Sequence, residues 1–272
     1  MNITKAIIPV AGWGTRRLPI TKAIEKCMLP IGNRPVVDYV VQDCIKAGIT
    51  DIYFIISEQS TQLRDYYRSN IDLIDYLRRN GKEAMIPLIA PPNIKMHYIT
   101  QSSFGKYGTS IPVSLVVPLL NEGESAVVLM GDDGIYRKDG KSEVARLIEA
   151  AGEDSSMLGV KVPHEDTSKY GVIEANNNGE FVKIVEKPNP DDAPSDMINV
   201  SKYVFSYKAL KMIEEHAKLN NISGEYYITD PINEYVSNGG KLKVIEAEGQ
   251  YIDSGTTKGW LKANQIVIND ME

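Results

Sequence analysis

Apolar residues along this chain follow two rhythms. Unbroken apolar runs stand at 6–10, 52–56 and 126–130, the pattern of strands buried on both faces of a parallel sheet. Elsewhere the apolar residues recur every three or four positions. Val36, Val37, Val40, Val41 and Cys44 follow Pro35 and stop before Gly48, which predicts a helix over 35–48 with proline in its first turn and glycine beyond its end. Leu63, Tyr66, Tyr67, Ile71, Ile74 and Leu77 predict one continuous helix over 63–79, packed by one face or serving as a flap or subunit contact. HYITQ at 97–101 reads as a strand, and Pro112 and Pro118 restrict any helix between them to about two turns. A helix over 143–151 and a strand over 157–162 come next. The turn Asn176-Asn177-Asn178-Gly179 joins 171–174 to 181–186 as a hairpin. A strand over 198–206, a helix over 207–219 and a C-terminal helix from about 257 complete the order. Thr229 or Asp230 is expected to cap a helix ahead of Pro231. No internal repeat is visible. The implied fold class is α/β, a three-layer, Rossmann-like arrangement around a mixed, mostly parallel sheet.

Composition narrows the partners. With 272 residues and 43% hydrophobic content the chain can bury a large core. Its formal charge of -6 argues against nucleic acid and membrane surfaces, which attract a basic field. Cys27 and Cys44 are its only cysteines, and no secretory segment is seen, so a cytoplasmic location is expected. Three histidines and two cysteines without ligand spacing argue against structural zinc and leave room for a hard cation on carboxylates.

The first apolar run feeds a stretch with almost no side-chain bulk. Ala11, Gly12 and Gly14 precede Thr15 and Arg16, and Arg17, Lys22 and Lys26 follow closely. Such a turn brings backbone N–H groups to an anion, and the cations replace the water that a buried phosphate loses. The third glycine of a dinucleotide fingerprint is replaced by Arg17, and no P-loop pattern occurs. The run 126–130 leads directly into Gly131-Asp132-Asp133. Such a sequence is often only a turn. At the carboxyl edge of the sheet, however, Asp132 shares a rim with the phosphate loop, where a bound Mg²⁺ would relieve repulsion from a triphosphate.

The whole string GWGTRRLPITK, followed by KCMLP, resembles the opening of the sugar-1-phosphate nucleotidyltransferases. TKAI with KCMLP looks closest to the bacterial-type uridylyltransferases that act on UTP and glucose 1-phosphate. Further matches follow in order: Tyr170-Gly171-Val172, Glu186-Lys187-Pro188, Ala193-Pro194-Ser195, Lys202-Tyr203, GEYYITD at 224–230, and Asp253-Ser254-Gly255. The likeness runs from about Lys5 to Ala263. It implies the nucleotide-diphospho-sugar transferase type of fold over 1–272 as a single domain, with a nucleotide-binding half at about 1–135, a sugar-binding half at about 136–256 and a C-terminal helix at about 257–272.

The same likeness implies roles. Arg16, Lys26 and Lys187 are the expected catalytic cations. Ala11, Gly12, Gly14, Thr15, Gln101 and Gly108 would seat the nucleotide, Gln101 matching the donor and acceptor edge of uracil. Gly171, Glu186, Lys187 and Lys202 would hold the sugar phosphate, and Asp132 with Asp253 the Mg²⁺. The implied reaction joins UTP to glucose 1-phosphate with release of pyrophosphate and no covalent enzyme intermediate. A homodimer or homotetramer is expected by analogy. Three departures leave alternatives open: Cys27 where the family has Glu, the loop Lys106 to Ser110 where it has Gly-Leu-Gly-His-Ala, and Ser201 where it has Gly. They admit dTTP or another sugar 1-phosphate as substrate, or an inactive homologue that only binds nucleotide sugars.

Overall fold

The computed structural model describes residues 3–271. Its strands are β1 (Lys5–Pro9), β2 (Pro30–Ile31), β3 (Arg34–Pro35), β4 (Asp51–Ser57), β5 (Lys95–Gln101), β6 (Ala126–Leu129), β7 (Asp133–Tyr136), β8 (Ser155–Lys161), β9 (Gly171–Ala175), β10 (Phe181–Glu186), β11 (Met197–Phe205), β12 (Leu242–Glu246) and β13 (Gln250–Asp253). Its α-helices are α1 (Val36–Lys46), α2 (Gln62–Tyr67), α3 (Ile71–Arg79), α4 (Ser110–Ser114), α5 (Glu143–Ala151), α6 (Tyr207–Lys218), α7 (Thr229–Ser237) and α8 (Thr257–Ile268).

Nine strands form the central sheet, in the order β10-β9-β11-β6-β1-β4-β5, with β8 beside β11 and β12 beside β8. β1, β4, β5 and β6 run parallel, and β11 enters antiparallel against β6. The sheet is therefore mixed, with a parallel block formed by β6, β1, β4 and β5. Alternation along β1 sends Ala6 and Ile8 to one face and Ile7 to the other. The first face is covered by Val37, Val41 and Leu147 from α1 and α5, the second by Val113, Leu210 and Ile232 from α4, α6 and α7. Two cores on opposite faces make the three layers. A third, smaller core joins Ile31, Val36 and Ile252 to Ala263 and Val267 of α8. Asp253 lies in β13, which pairs with β7 as a separate two-stranded ribbon beside the main sheet.

Two expectations need correction. The helix over 63–79 is broken: α2 ends at Tyr67, Arg68 is extended, and the Asn70 side chain accepts from Leu73 N at 3.0 Å to start α3. An asparagine there satisfies a free N–H better than it continues a helix. α7 begins at Thr229, so the expected capping residues lie inside the helix, and its N-cap position Ile228 offers no side-chain cap. Its entering amide, Ile228 N, donates instead to Thr109 Oγ1 at 2.9 Å, from a distant loop.

Candidate active site

The loop after β1 is shaped by Gly14, whose φ of 64° is left-handed. A Cβ there would lie 3.0 Å from Lys26 Cβ, so the glycine lets the Lys26 stem pack against the turn. Thr21 Oγ1 donates to Gly14 O at 2.9 Å and closes the loop. Gly131 does the same for the neighbouring strand. A side chain there would strike Val10 Cγ1 at 2.4 Å. Its absence draws the end of β6 against the phosphate loop and carries Asp132 with it.

Lys26 Nζ and the Asp132 carboxylate form an ion pair where these two strand ends meet. Burial opposes ionisation of Asp132, but Lys26, reinforced by Lys202, outweighs it and holds the carboxyl below its ordinary range. Asp133 behaves differently. Burial pushes its carboxyl up although it is paired with Lys202 and accepts from the Tyr251 hydroxyl at 2.6 Å. The adjacent acids thus divide: Asp132 faces the loop, and Asp133 is locked into the interior. Ser254 Oγ donates to Asp132 O at 2.6 Å, which ties the end of the β13 ribbon to the same rim. Asp253 stands opposite Asp133 in register and accepts from Gly255 N at 2.7 Å.

A cleft of about 320 Å³ opens here. It gathers Ala11, Gly12, Lys26, Gln101, Gly108 and Asp132, all expected from the sequence. Gly14, Thr15 and Arg16 belong to the same loop but do not line the cleft, and Arg16 is exposed. Gly108 holds a φ of 118°, and a Cβ there would meet Tyr226 N at 2.4 Å, so only glycine fits. Cys27 borders the cleft but is 2% exposed, and burial pushes its thiol far above the ordinary range. It is a small filler with no thiolate chemistry.

On the sugar side, Gly171 faces Glu186 across the hairpin, and a Cβ at Gly171 would lie 2.9 Å from Glu186 Oε2. Lys187 has a left-handed φ of 45° and is exposed, its amide donating to Tyr170 O at 3.0 Å. The Tyr170 phenol is pushed up by burial and then by Asp253, so this hairpin starts beside the ribbon that carries Asp253. Lys202 is the correction. It is 4% exposed, its Nζ donates to Met130 O at 2.9 Å and it pairs with Asp133. Its ammonium is engaged inside the sheet by the Met130 carbonyl and the Asp133 carboxylate. Lys202 lies on the same face of β11 as the buried Ile198, Val200 and Val204, so strand alternation itself carries its side chain into the core.

Sequence reasoning missed several walls of the cleft: Trp13, Ser102, Tyr107, Thr109 and Glu225. Trp13 carried a signal, because an indole between two loop glycines has no core to enter; it is 59% exposed. Glu225 was visible only as part of a turn before a helix.

Donor chemistry decides which metal these residues suit. Asp132 and Asp253 offer hard carboxylate oxygens on one rim, and among the described residues no third His, Cys, Asp or Glu closes around them. Mg²⁺ takes one or two carboxylates, keeps several waters and accepts phosphate oxygens, so this open set fits it.

The sequence model of the family described as "Nucleotidyl transferase" matches residues 5–270. A UTP–glucose-1-phosphate uridylyltransferase of Streptococcus pyogenes is 32% identical over 97% of this chain and 88% of its own length. One from Streptococcus pneumoniae is 30% identical over 97% of this chain and 89% of its own. Among solved structures, UTP-bound UGPase from Acinetobacter baumannii superposes with a TM-score of 0.86 at 26% identity, covering 98% of this chain and 93% of that one. A UDP-glucose pyrophosphorylase complexed with UDP-glucose superposes with a TM-score of 0.80 at 26% identity, over 98% and 99% of the two chains.

Proposed function

Since the chain belongs to the nucleotidyl transferase family, we propose that it transfers the uridylyl group of UTP to glucose 1-phosphate, forming UDP-glucose and pyrophosphate. The observation that carries this reading is the Lys26–Asp132 pair in a cleft that Gln101 and Gly108 also line. A phosphate-binding cation, a metal-binding carboxylate and a base-reading amide then lie along one nucleotide.

A phosphate oxygen of glucose 1-phosphate attacks the α-phosphorus. A new P–O bond forms, and the bond from the α-phosphorus to the bridging oxygen breaks in line, so pyrophosphate leaves with the electron pair. The attacking group is already an anion near neutral pH, so no protein nucleophile is needed. The protein aligns two polyanions and neutralises the charge that develops on the leaving group. Lys26 binds the triphosphate, with Arg16 reaching in from the glycine loop. Lys187 meets the incoming phosphate, and Glu186 accepts from sugar hydroxyls over Gly171. Mg²⁺ on Asp132 and Asp253 would supply further charge neutralisation at the phosphate oxygens.

The test is pyrophosphate release across UTP, dTTP and other nucleotides, paired with glucose 1-phosphate and its epimers, with and without Mg²⁺. UTP with glucose 1-phosphate is expected to give the highest kcat/KM. A strong preference for dTTP would overturn the uridylyl assignment, and tight UDP-glucose binding without turnover would identify a binding-only protein.

A further inference from the structure

Two carboxylates line the nucleotide cleft. Asp132 is paired with Lys26, whereas Glu225 has no ion-pair partner among the described residues. Its polar neighbour is Tyr227, whose phenol is pushed up by hydrogen bonding to Glu225. An unneutralised carboxylate facing a polyanion site would weaken binding unless it meets donors on the ligand.

Glu225 stands on the Gly108 side of the cleft. A Cβ built on Gly108 would lie 2.8 Å from Glu225 Cγ, so the side chain sits over the loop that follows Gln101. That placement is firmly held. Tyr226 N donates to Tyr107 O and Ser110 N to Tyr226 O, both at 2.9 Å, and Thr109 Oγ1 receives the Ile228 amide. The Tyr226 hydroxyl donates to Leu219 O at 2.6 Å. Lys106 Nζ donates to Ala217 O and Leu219 O and lies 5.2 Å over the Tyr226 ring. The residues 106–110 that depart from the family pattern therefore hold residue 225 in the cleft wall.

Between a base and a triphosphate lies a ribose, which presents two vicinal hydroxyl donors. A carboxylate has two oxygens to accept both, and such charge-assisted bonds are the strong kind. The base fits less well, because a carboxylate would oppose the two uracil carbonyls while meeting only one N–H.

We propose that Glu225 is the ribose-reading residue of this cleft, accepting from the 2′- and 3′-hydroxyls and so selecting ribonucleotides over 2′-deoxyribonucleotides. The inference rests on the nucleotidyl-transfer reading for its substrate, and on Glu225, Gly108 and Tyr226 for its geometry.

The full-length chain is compared with its Glu225→Gln and Glu225→Ala variants, using UTP and dUTP in the presence of Mg²⁺. Equilibrium binding is measured by calorimetry and kcat/KM by pyrophosphate release. The unaltered chain is expected to favour UTP over dUTP by roughly 10- to 100-fold, the scale of one hydrogen bond to a charged group. Glu225→Ala is expected to bring the ratio within about three-fold, chiefly by weakening UTP. Glu225→Gln, which keeps the shape and one acceptor, should fall between. A ratio unchanged by Glu225→Ala overturns the proposal. So does a rise in the KM for glucose 1-phosphate alone, which would place Glu225 on the hexose. If no nucleotide is turned over, the nucleotidyl-transfer reading fails, while the ratio of UTP to dUTP binding still decides the role of Glu225.

Discussion

Lys26 and Asp132 hold each other at the cleft, and the proposed reaction gives each a second use. Among the described residues the Lys26 ammonium is the only cation lining the cleft, so in the proposed reaction its removal would take one preorganised charge from the leaving pyrophosphate. Lys26→Ala is expected to lower kcat by roughly 10²- to 10³-fold; near-normal turnover in that variant would remove Lys26 from the mechanism. A second residue-scale prediction concerns Asp43 on α1. One of its carboxylate oxygens is buried without a partner, and burial raises its carboxyl above the ordinary range. A raised folded value means that the ionised form is disfavoured in the fold. Stability is then full below the unfolded pKa of about 4 and is lost as pH rises through the folded value. Asp43→Asn should therefore raise the Tm at pH 7 to 8, with the gain vanishing towards pH 4. Equal gains at both pH values would exclude titration as the cause.

At the scale of elements, the loops that follow the parallel strands do the chemistry, and backbone conformation decides what they present. Ser201 occupies a left-handed position that an L-residue fills at a cost, with Ser201 N anchored by Asn199 Oδ1 at 2.9 Å. Ser201→Gly keeps that bond and should stabilise the chain by about 1 kcal/mol in urea unfolding. Destabilisation would mean that the serine side chain has an unseen role. Gly108→Ala should act in the opposite sense, pushing the loop off Tyr226, raising the KM for UTP more than it lowers kcat, and lowering the Tm. The same backbone logic sets how much was legible in advance. Continuous apolar runs announced β1, β4 and β6, because strands buried on both faces tolerate little else. The break between α2 and α3 stayed hidden, since Tyr67, Ile71 and Ile74 keep helical spacing across Ser69 and Asn70. The burial of Lys202 was hidden for a different reason: its role was inferred from a motif match, while its partners Met130 and Asp133 lie 72 and 69 positions away in the chain. That the glycine loop and Asp132 share one cleft was readable because each directly follows a strand visible in the sequence. The wall formed by Tyr107, Thr109 and Glu225 was not, because it exists only after segments 119 positions apart join.

Across the whole molecule, α8 is the strap behind the phosphate loop. Trp260 Nε1 donates to Pro30 O at 2.6 Å, Gly32 N donates to Asn264 Oδ1 at 3.0 Å, and Arg17 Nη1 donates to Thr257 Oγ1 at 2.9 Å beneath a Trp260 ring 5.5 Å away. Removing the chain from Thr257 onward would uncover Ile31, Val36 and Ile252 and release Arg17. The truncated chain is expected to lose several kcal/mol, the cost of exposing a few fully buried aliphatic side chains, and to bind UTP at least ten-fold more weakly. A truncated chain with unchanged melting and affinity would show that the strap is dispensable.

The bond from Arg17 to Thr257 spans 240 positions. A ribosome releases residue 17 long before residue 257 exists, so during synthesis the phosphate loop has its own strand and no strap. Domains generally acquire their N-terminal structure first as the chain emerges. Here, however, the loop proposed to meet the nucleotide is secured only after Thr257 has emerged. A growing chain should therefore take up little nucleotide, and the capacity to bind it should appear abruptly, late in translation, as a mark of a finished molecule.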